Sequence, residues 1–132
     1  MMRVIFACVH NAGRSQMAAA FFNALADSER ACAVSAGTHP ADRIHPEVVA
    51  AMWEVNVDLS RVTPQMLTVE LAATADLLVT MGCGEECPFI PGLRREDWPL
   101  PDPRGKDLDA VRAIRDDLQA RVLELMARLG IE

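Results

Sequence analysis

The sequence predicts an α/β fold with a parallel sheet, in a single domain that covers residues 1–132. Short apolar runs alternate along the chain with longer segments of helical periodicity, as in β–α–β units with right-handed crossovers. The first run, residues 3–7, shows no polar–apolar alternation, which indicates a strand buried on both faces of a parallel sheet. With 132 residues, of which 51% are hydrophobic and 24% are charged, the chain can fill one core but not two.

Four strands are predicted, over residues 3–7, 32–36, 76–81 and 95–99. Gly37 closes the second strand, and Cys32 within it is expected to pack in the core. Cys8, Cys83 and the turn that contains Asp102 each follow a strand. Because ligands of parallel α/β sheets bind at the carboxyl ends of the strands, we expect these three residues to gather at one edge.

Helices are predicted between and after the strands, the first over residues 14–25. The second opens at His45-Pro46, since proline suits the first position of a helix, and its buried face is expected to carry Val48, Val49, Met52 and Trp53. Thr68 is expected to cap a short helix through Ala73. The last helix has an apolar stripe formed by Val111, Ile114, Leu118, Val122, Leu125 and Leu129. Its other side is expected to carry charged residues, among them Arg112 and Arg115.

Charge and the lack of targeting segments restrict the function. The formal net charge is −6 and the basic residues are not clustered, so a nucleic-acid partner is not expected. No signal segment is seen, and no apolar stretch approaches the roughly 20 residues of a transmembrane helix. We therefore expect a monomeric cytoplasmic protein without a membrane partner. In that reducing compartment, four cysteines indicate redox, catalytic or metal chemistry before structural disulfides.

The segment from Cys8 to Ser15 has the composition of an anion-binding loop. A cysteine ends a strand, five residues form a loop, and Arg14 and Ser15 open a helix. Loop N–H groups and the helix N-terminus can bind one tetrahedral oxyanion, while Arg14 can hold two of its oxygens. The positive potential of the helix N-terminus and of Arg14 also favours a Cys8 thiolate, to which Ser15 can donate a hydrogen bond. Gly13 permits close backbone approach, and Asn11 tolerates a left-handed conformation. The residues expected to line the oxyanion site are Val9, His10, Asn11, Ala12, Gly13 and Arg14.

The alternative is that Cys8 is a buried cysteine at a strand end and that the polar loop is only a turn. The strand–loop–helix context favours the catalytic interpretation, with Cys8 as the nucleophile. His10 could tune the Cys8 thiol, but the simpler interpretation, in which only its backbone N–H matters, is favoured. His39 and His45 stand next to prolines and are interpreted as turn residues.

Cys-x5-Arg-Ser after an N-terminal strand resembles the low-molecular-weight protein tyrosine phosphatases and the arsenate reductases built on the same fold. Further landmarks of this resemblance lie at residues 35–37, 58–60, 76–81 and 98–103. The resemblance implies a four-stranded parallel sheet flanked by helices on both faces. It also implies that Asp102, followed by Pro103, is the general acid of the phosphatase reaction. An Asp on a proline-flanked loop can give a proton to a leaving oxygen on chemical grounds alone, and the alternative is a surface turn.

The rest of the chain favours an arsenate reductase over a phosphatase. Phosphatase members carry aromatic residues at the pocket mouth and a tyrosine pair after the Asp-Pro dipeptide, whereas this chain has no tyrosine, and Trp98 is more simply a core residue. Arsenate reduction would begin with attack by Cys8 and continue through a thiol relay. Similarity to the thioredoxin-coupled reductases implies Cys83 as the first resolving thiol and Cys87 as the second. It further implies thioredoxin as the external reductant and no bound cofactor.

Several alternatives stay open. The reductant could be a low-molecular-weight thiol such as mycothiol, and the cysteine pair would then be dispensable. The chain could be a tyrosine or aryl phosphatase, an activity expected in weak form in any case, or a redox sensor without turnover. Cys83 and Cys87 could be passive thiols or zinc ligands, but a zinc site needs four ligands and no second pair lies nearby. Some relatives bind potassium through a Glu in the first helix; Ala19 stands there, so no metal is predicted.

Overall fold

The computed structural model describes residues 1–82, 87 and 90–131. Within them lies a parallel sheet of four strands in the order β2-β1-β3-β4. The strands are β1 (Met2–Cys8), β2 (Ala31–Gly37), β3 (Leu77–Met81) and β4 (Arg94–Asp97). The helices of the same residues are α1 (Arg14–Leu25), α2 (Pro46–Trp53), α3 (Val69–Ala72) and α4 (Leu108–Leu129). The predicted α/β fold is confirmed, with small differences at the ends of the strands.

The two faces of the sheet are covered separately, and β1 contributes to both. Val4, Phe6 and Cys8 pack into the main core with α1, α2 and α4. Ile5 and Ala7 pack into a smaller cluster together with a residue of α3. Burial on both faces explains why the β1 sequence is apolar without alternation. Helices therefore lie on both faces of the sheet, as expected.

The helix ends follow local capping rules. The Asp107 side chain accepts a hydrogen bond from Ala110 N at 2.9 Å and begins α4, and Gly130 ends that helix in a left-handed conformation. Thr68 caps α3 by accepting from Leu71 N at 3.0 Å, as predicted. The predicted apolar stripe of α4 is buried, apart from the partly buried Leu129. No helix in the described part of the chain is long and apolar enough to cross a bilayer.

Three expectations about packing are wrong. Trp53 is 65% exposed, because five residues after the buried Val48 the helix has turned by about 140°. Arg115 is buried rather than solvent-facing, since its guanidinium donates to Ala51 O at 2.8 Å across the contact between α2 and α4. Cys32 is only partly buried and stands outside both core clusters, because it points to the opposite face of β2 from Ala31 and Ala33, which are buried in the main core.

Candidate active site

The loop of residues 9–13 leaves the carboxyl end of β1 and leads directly into α1. Every backbone carbonyl from Cys8 to Gly13 accepts a hydrogen bond from a group outside the loop. The donors, at 2.8–3.3 Å, are the backbone N–H groups of Thr38, His39, Ala41, His45 and Met17 and the side-chain amide of Gln16. Because N–H and C=O of a trans peptide point in opposite directions, outward carbonyls leave the N–H groups facing the inside of the loop. The loop thus has the form of the predicted anion cradle.

Cys8, the last residue of β1, carries a free thiol and is 2% exposed. Its sulfur lies 2.9 Å from Ser15 Oγ, and Asn11 Nδ2 donates to that hydroxyl oxygen at 2.7 Å. Asn11 has a φ of 51°, the left-handed conformation that was expected of it. Ser15, in the first turn of α1, and Asn11, in the loop, are therefore linked to the Cys8 sulfur by hydrogen bonds.

Arg14, the first residue of α1, is 6% exposed and extends across the carboxyl edge of the sheet. Its Nη1 donates to Leu100 O at 3.0 Å, while Nη2 lies 3.9 Å from Asp102 Oδ2. Its Nε is buried and has no hydrogen-bond partner among the described residues. A buried donor left unpaired is costly, so this N–H is suited to an acceptor that a ligand supplies.

Asp102 lies on the proline-rich segment after β4. Its side chain is 43% exposed, and its Oδ1 accepts a hydrogen bond from Arg104 N at 3.0 Å, which fixes the turn. The neighbouring Pro103 packs directly on the anion loop, since a Cβ at Gly13 would lie 2.5 Å from its Cγ. The close approach that was predicted at Gly13 is therefore a contact between the anion loop and the proline-rich segment that carries Asp102. Cys8, Arg14, Ser15 and Asp102 are brought to one edge of the sheet, as expected.

The other cysteines are placed only in part. Cys87 is buried in the cluster that covers the α3 face of the sheet, and it is disulfide-bonded. Cys83 lies outside the described residues, so its predicted position beside Cys8 stays a prediction. Cys32 is a free thiol paired in register with Arg3, whereas Cys8 pairs with Gly37, so Cys32 is at the opposite end of β2 from the anion loop. No cluster of three metal-ligating side chains occurs among the residues that the structure describes.

Two amide side chains in the site were missed by the sequence analysis. Gln16 Nε2 donates to both the backbone oxygen and the side-chain oxygen of Asn11, at 3.2 and 3.0 Å. Gln65, which is far away in the sequence, donates its backbone N–H to Asn11 Oδ1 at 2.9 Å and its side chain to Ser35 O at 2.8 Å. The position of Gln16, directly after the Arg-Ser pair, was a usable signal, whereas nothing local marks Gln65.

A cavity of about 300 Å³ lined by two arginines, two histidines and an aspartate borders the anion loop and was also missed. It is lined by His10, Ala41, Asp42, Arg43, His45 and Arg104. Burial lowers the pKa of His45 below its usual value; Asp102 opposes this effect and His10 reinforces it. His45, interpreted from the sequence as a turn residue, directly precedes α2 and is a partly buried lining residue of this cavity.

Comparisons with known proteins agree with this geometry. Residues 3–132 match the family described as low molecular weight phosphotyrosine protein phosphatase. A relative from Halobacterium salinarum, whose name assigns arsenate reduction provisionally, is 41% identical over 126 residues, 91% of this chain and 87% of the relative.

Solved structures with the same fold include both reductases and a phosphatase. The thioredoxin-dependent arsenate reductase of Corynebacterium glutamicum superimposes with a TM-score of 0.85 at 38% identity, covering 98% of this chain and 62% of that chain. This chain thus spans less than two thirds of the length of that protein. The YwlE arginine phosphatase of Bacillus subtilis, in a mutant with a phosphorylated active-site serine, superimposes with a TM-score of 0.80 at 25% identity, covering 98% and 96%. By sequence match, sheet topology and anion loop together, the chain belongs to the low molecular weight phosphotyrosine protein phosphatase family.

Proposed function

We propose that this protein reduces arsenate to arsenite, with Cys8 as the nucleophile. One observation carries the proposal. The free Cys8 thiol adjoins a loop whose carbonyls all bond to groups outside it, and the loop leads into Arg14, whose buried Nε has no partner among the described residues. This combination suits a tetrahedral oxyanion. Phosphate and arsenate share that shape, so the choice of arsenate rests on the cysteine pair and on relatives named as arsenate reductases.

In the first step, the Cys8 thiolate attacks arsenic. A sulfur–arsenic bond forms, and one arsenate oxygen leaves as water. Asp102 supplies the proton for the leaving oxygen, a role that its position at the same edge of the sheet as Cys8 and Arg14 allows, with a half-exposed carboxyl group 3.9 Å from Arg14 Nη2. Arsenic is still As(V) in this adduct, and no electrons have yet been transferred.

The second step transfers two electrons through thiols. The Cys83 thiolate attacks the Cys8 sulfur and forms a disulfide with it. The sulfur–arsenic bond breaks with its electron pair on arsenic, which leaves as arsenite, As(III). Cys87 then attacks Cys83 and releases the Cys8 thiolate, and an external dithiol, for which we propose thioredoxin, reduces the disulfide between Cys83 and Cys87. The disulfide-bonded state of Cys87 suits a cysteine that is oxidised during turnover. The cycle uses no bound cofactor, and we assign it to a monomer in the cytoplasm.

Phosphatase activity is the second candidate. The loop, Arg14 and Asp102 would serve phosphate-ester hydrolysis equally well, and the YwlE neighbour is named as a phosphatase. The surroundings count against an aryl ester, however. Trp98 is buried against Phe6 with ring centroids 5.7 Å apart, and the residues that follow Pro103 are exposed and not aromatic. We therefore propose that phosphatase activity is weak.

The test is an assay of NADPH oxidation with thioredoxin, thioredoxin reductase and arsenate. It compares the native protein with Cys8→Ser, Cys83→Ser and Cys87→Ser. Cys32→Ser is the matched control, because Cys32 is also a thiol but sits at the far end of β2. The proposal expects turnover that each of the first three substitutions abolishes and that Cys32→Ser leaves intact.

Other outcomes would redirect the assignment. Silence with thioredoxin but turnover with mycothiol would replace the relay by a low-molecular-weight thiol. Silence with both donors, together with rapid hydrolysis of p-nitrophenyl phosphate, would favour the phosphatase. Reversible oxidation of the cysteine pair without arsenite production would favour a redox sensor.

A further inference from the structure

A chain of buried side-chain hydrogen bonds runs from α1 to the Cys8 sulfur. Gln16 Nε2 donates to Asn11 Oδ1 at 3.0 Å, Asn11 Nδ2 donates to Ser15 Oγ at 2.7 Å, and Ser15 Oγ lies 2.9 Å from Cys8 Sγ. Asn11, Ser15 and Gln16 are all buried, so water does not compete freely for these bonds. The chain therefore connects a residue outside the anion loop to the nucleophile.

The direction of the hydrogen bonds in this chain is determined by the Asn11 amide. Its oxygen also accepts from Gln65 N at 2.9 Å, and a backbone N–H can only donate, so the amide oxygen faces Gln65 and Gln16. The Asn11 nitrogen must then face Ser15. A Cys8 thiolate carries no proton, so in that state the hydrogen bond between Ser15 Oγ and the Cys8 sulfur must be donated by the Ser15 hydroxyl. A hydrogen bond donated to the sulfur stabilises the thiolate over the thiol.

Gln16 holds Asn11 at two points. Gln16 Nε2 donates to Asn11 Oδ1, as described above, and also to Asn11 O at 3.2 Å. One amide group therefore binds both the backbone and the side chain of the same residue. Asn11 has a φ of 51°, a conformation disfavoured for residues with a side chain. Without Gln16, Asn11 O would lose the side-chain donor that stabilises this conformation, and Asn11 Oδ1 would keep only the hydrogen bond from Gln65 N.

We propose that Gln16 is a positioning residue that maintains the Cys8 thiolate by fixing the orientation of Asn11 and, through it, the donation of the Ser15 proton. The inference rests on the proposed function only in taking Cys8 as the nucleophile. The Gln16 side-chain amide donates to Asn11 and acts on Cys8 only through Asn11 and Ser15.

The test follows Cys8 ionisation without any substrate. The protein is reduced, alkylated with iodoacetamide across a range of pH, and the rate is read by mass spectrometry on the peptide that contains Cys8. In Gln16→Met, which keeps the side-chain volume but removes the donor, we expect the pH midpoint of the rate to rise by about one unit. That corresponds to about tenfold slower alkylation below the midpoint, as expected for weakening of one hydrogen bond to a charged group.

Asn23→Leu is the matched control. Asn23 belongs to the same helix, and its amide makes two hydrogen bonds to Ala33, but none of them leads to the anion loop. A general loss of packing on α1 would affect both variants, whereas the proposal expects only Gln16→Met to shift the alkylation profile. Equal shifts in both variants, or an unchanged midpoint in Gln16→Met, would overturn it.

A double-mutant comparison keeps the proposal testable if Gln16→Met is poorly folded. In a Ser15→Ala background the last hydroxyl of the chain is missing, so Gln16→Leu, which removes the donor without adding a charge, should shift the midpoint there by less than half of its shift in the native background. Equal shifts in both backgrounds would show that Gln16 does not act through Ser15. Because no arsenate is used, this experiment can fail while arsenate reduction holds, and the reductase assay can fail while the Cys8 profile behaves as expected.

Discussion

Gly37 is the position where a single methyl group should do most harm to the anion loop. It is the residue of β2 opposite Cys8, and a Cβ there would lie 2.6 Å from Val9 O and 2.8 Å from Asn11 N. Both atoms belong to the backbone and cannot rotate away. An ordinary contact begins near 3.4 Å, so Gly37→Ala requires a local shift of about 0.8 Å.

Such a shift should affect stability and activity to different extents. Overpacking of this kind costs about 1–3 kcal/mol of unfolding free energy. A displacement approaching 1 Å at donors that bind a reacting group can reduce the rate about 100-fold. We therefore expect kcat/KM for arsenate to fall about 100-fold in protein that is still folded at 25 °C, with urea unfolding and thioredoxin-coupled turnover as the two measurements.

Gly130→Ala is the control for this experiment. Gly130 ends α4 with a φ of 68°, and a Cβ there meets nothing within 4 Å, so the substitution should cost about 1 kcal/mol through backbone strain alone. Its kcat/KM should match that of the native protein. The reasoning fails if Gly37→Ala is destabilised yet keeps a kcat/KM within threefold of native.

Three further outcomes are expected. In Gly82→Ala, the new Cβ would lie 2.8 Å from Arg14 Nη1, on a residue whose φ is 81°. Because this contact would displace the guanidinium that binds the oxyanion, the KM for arsenate should rise about tenfold in steady-state assays. The KM of Gly130→Ala, at the end of α4, should stay at the native value. In Asp102→Asn, loss of the proton donor should lower kcat for p-nitrophenyl phosphate about 100-fold, while Cys8 alkylation by iodoacetamide stays at the native rate. Arg112 and its neighbour Arg115 lower the pKa of Glu54 to about 2, so this carboxylate stabilises the fold above its unfolded value of 4.5 and ceases to do so as the pH falls towards 2. The stability gap between native protein and Glu54→Gln, measured by urea unfolding, should therefore narrow over that range; a constant gap would contradict the assignment.

Local patterns in the sequence predicted much of the fold. The β1 strand is recognisable because both faces are buried, and α4 because its apolar residues repeat every three or four positions. The left-handed conformation of Asn11 and the Thr68 cap follow from the chemistry of single residues. These features depend on a few neighbouring positions, which is why sequence reasoning reaches them.

Contacts between distant segments could not be predicted in the same way. Arg115 is buried because an acceptor on α2 meets it, and the sequence of α4 alone contains no sign of that acceptor. Gln65 reaches Asn11 across the whole β2–α2 region. The partial burial of His45 was not predictable from its neighbours in the sequence, because it depends on the anion loop that packs against it. The sequence therefore indicated only a turn residue. In the candidate site, the motif was predictable, but the contacts that reach it from distant segments were not.

The outward carbonyls of the anion loop have a consequence for protein engineering. Four of their six donors come from residues 38–45, a stretch that follows the next strand along the chain and contains none of the motif's residues. A transplant of residues 8–15 into another β–α unit would therefore carry the recognisable signature and lose the external scaffold that turns its amides inward. The smallest portable anion-binding unit of this fold is two segments, and a graft that copies both should bind phosphate where a graft of the motif alone does not.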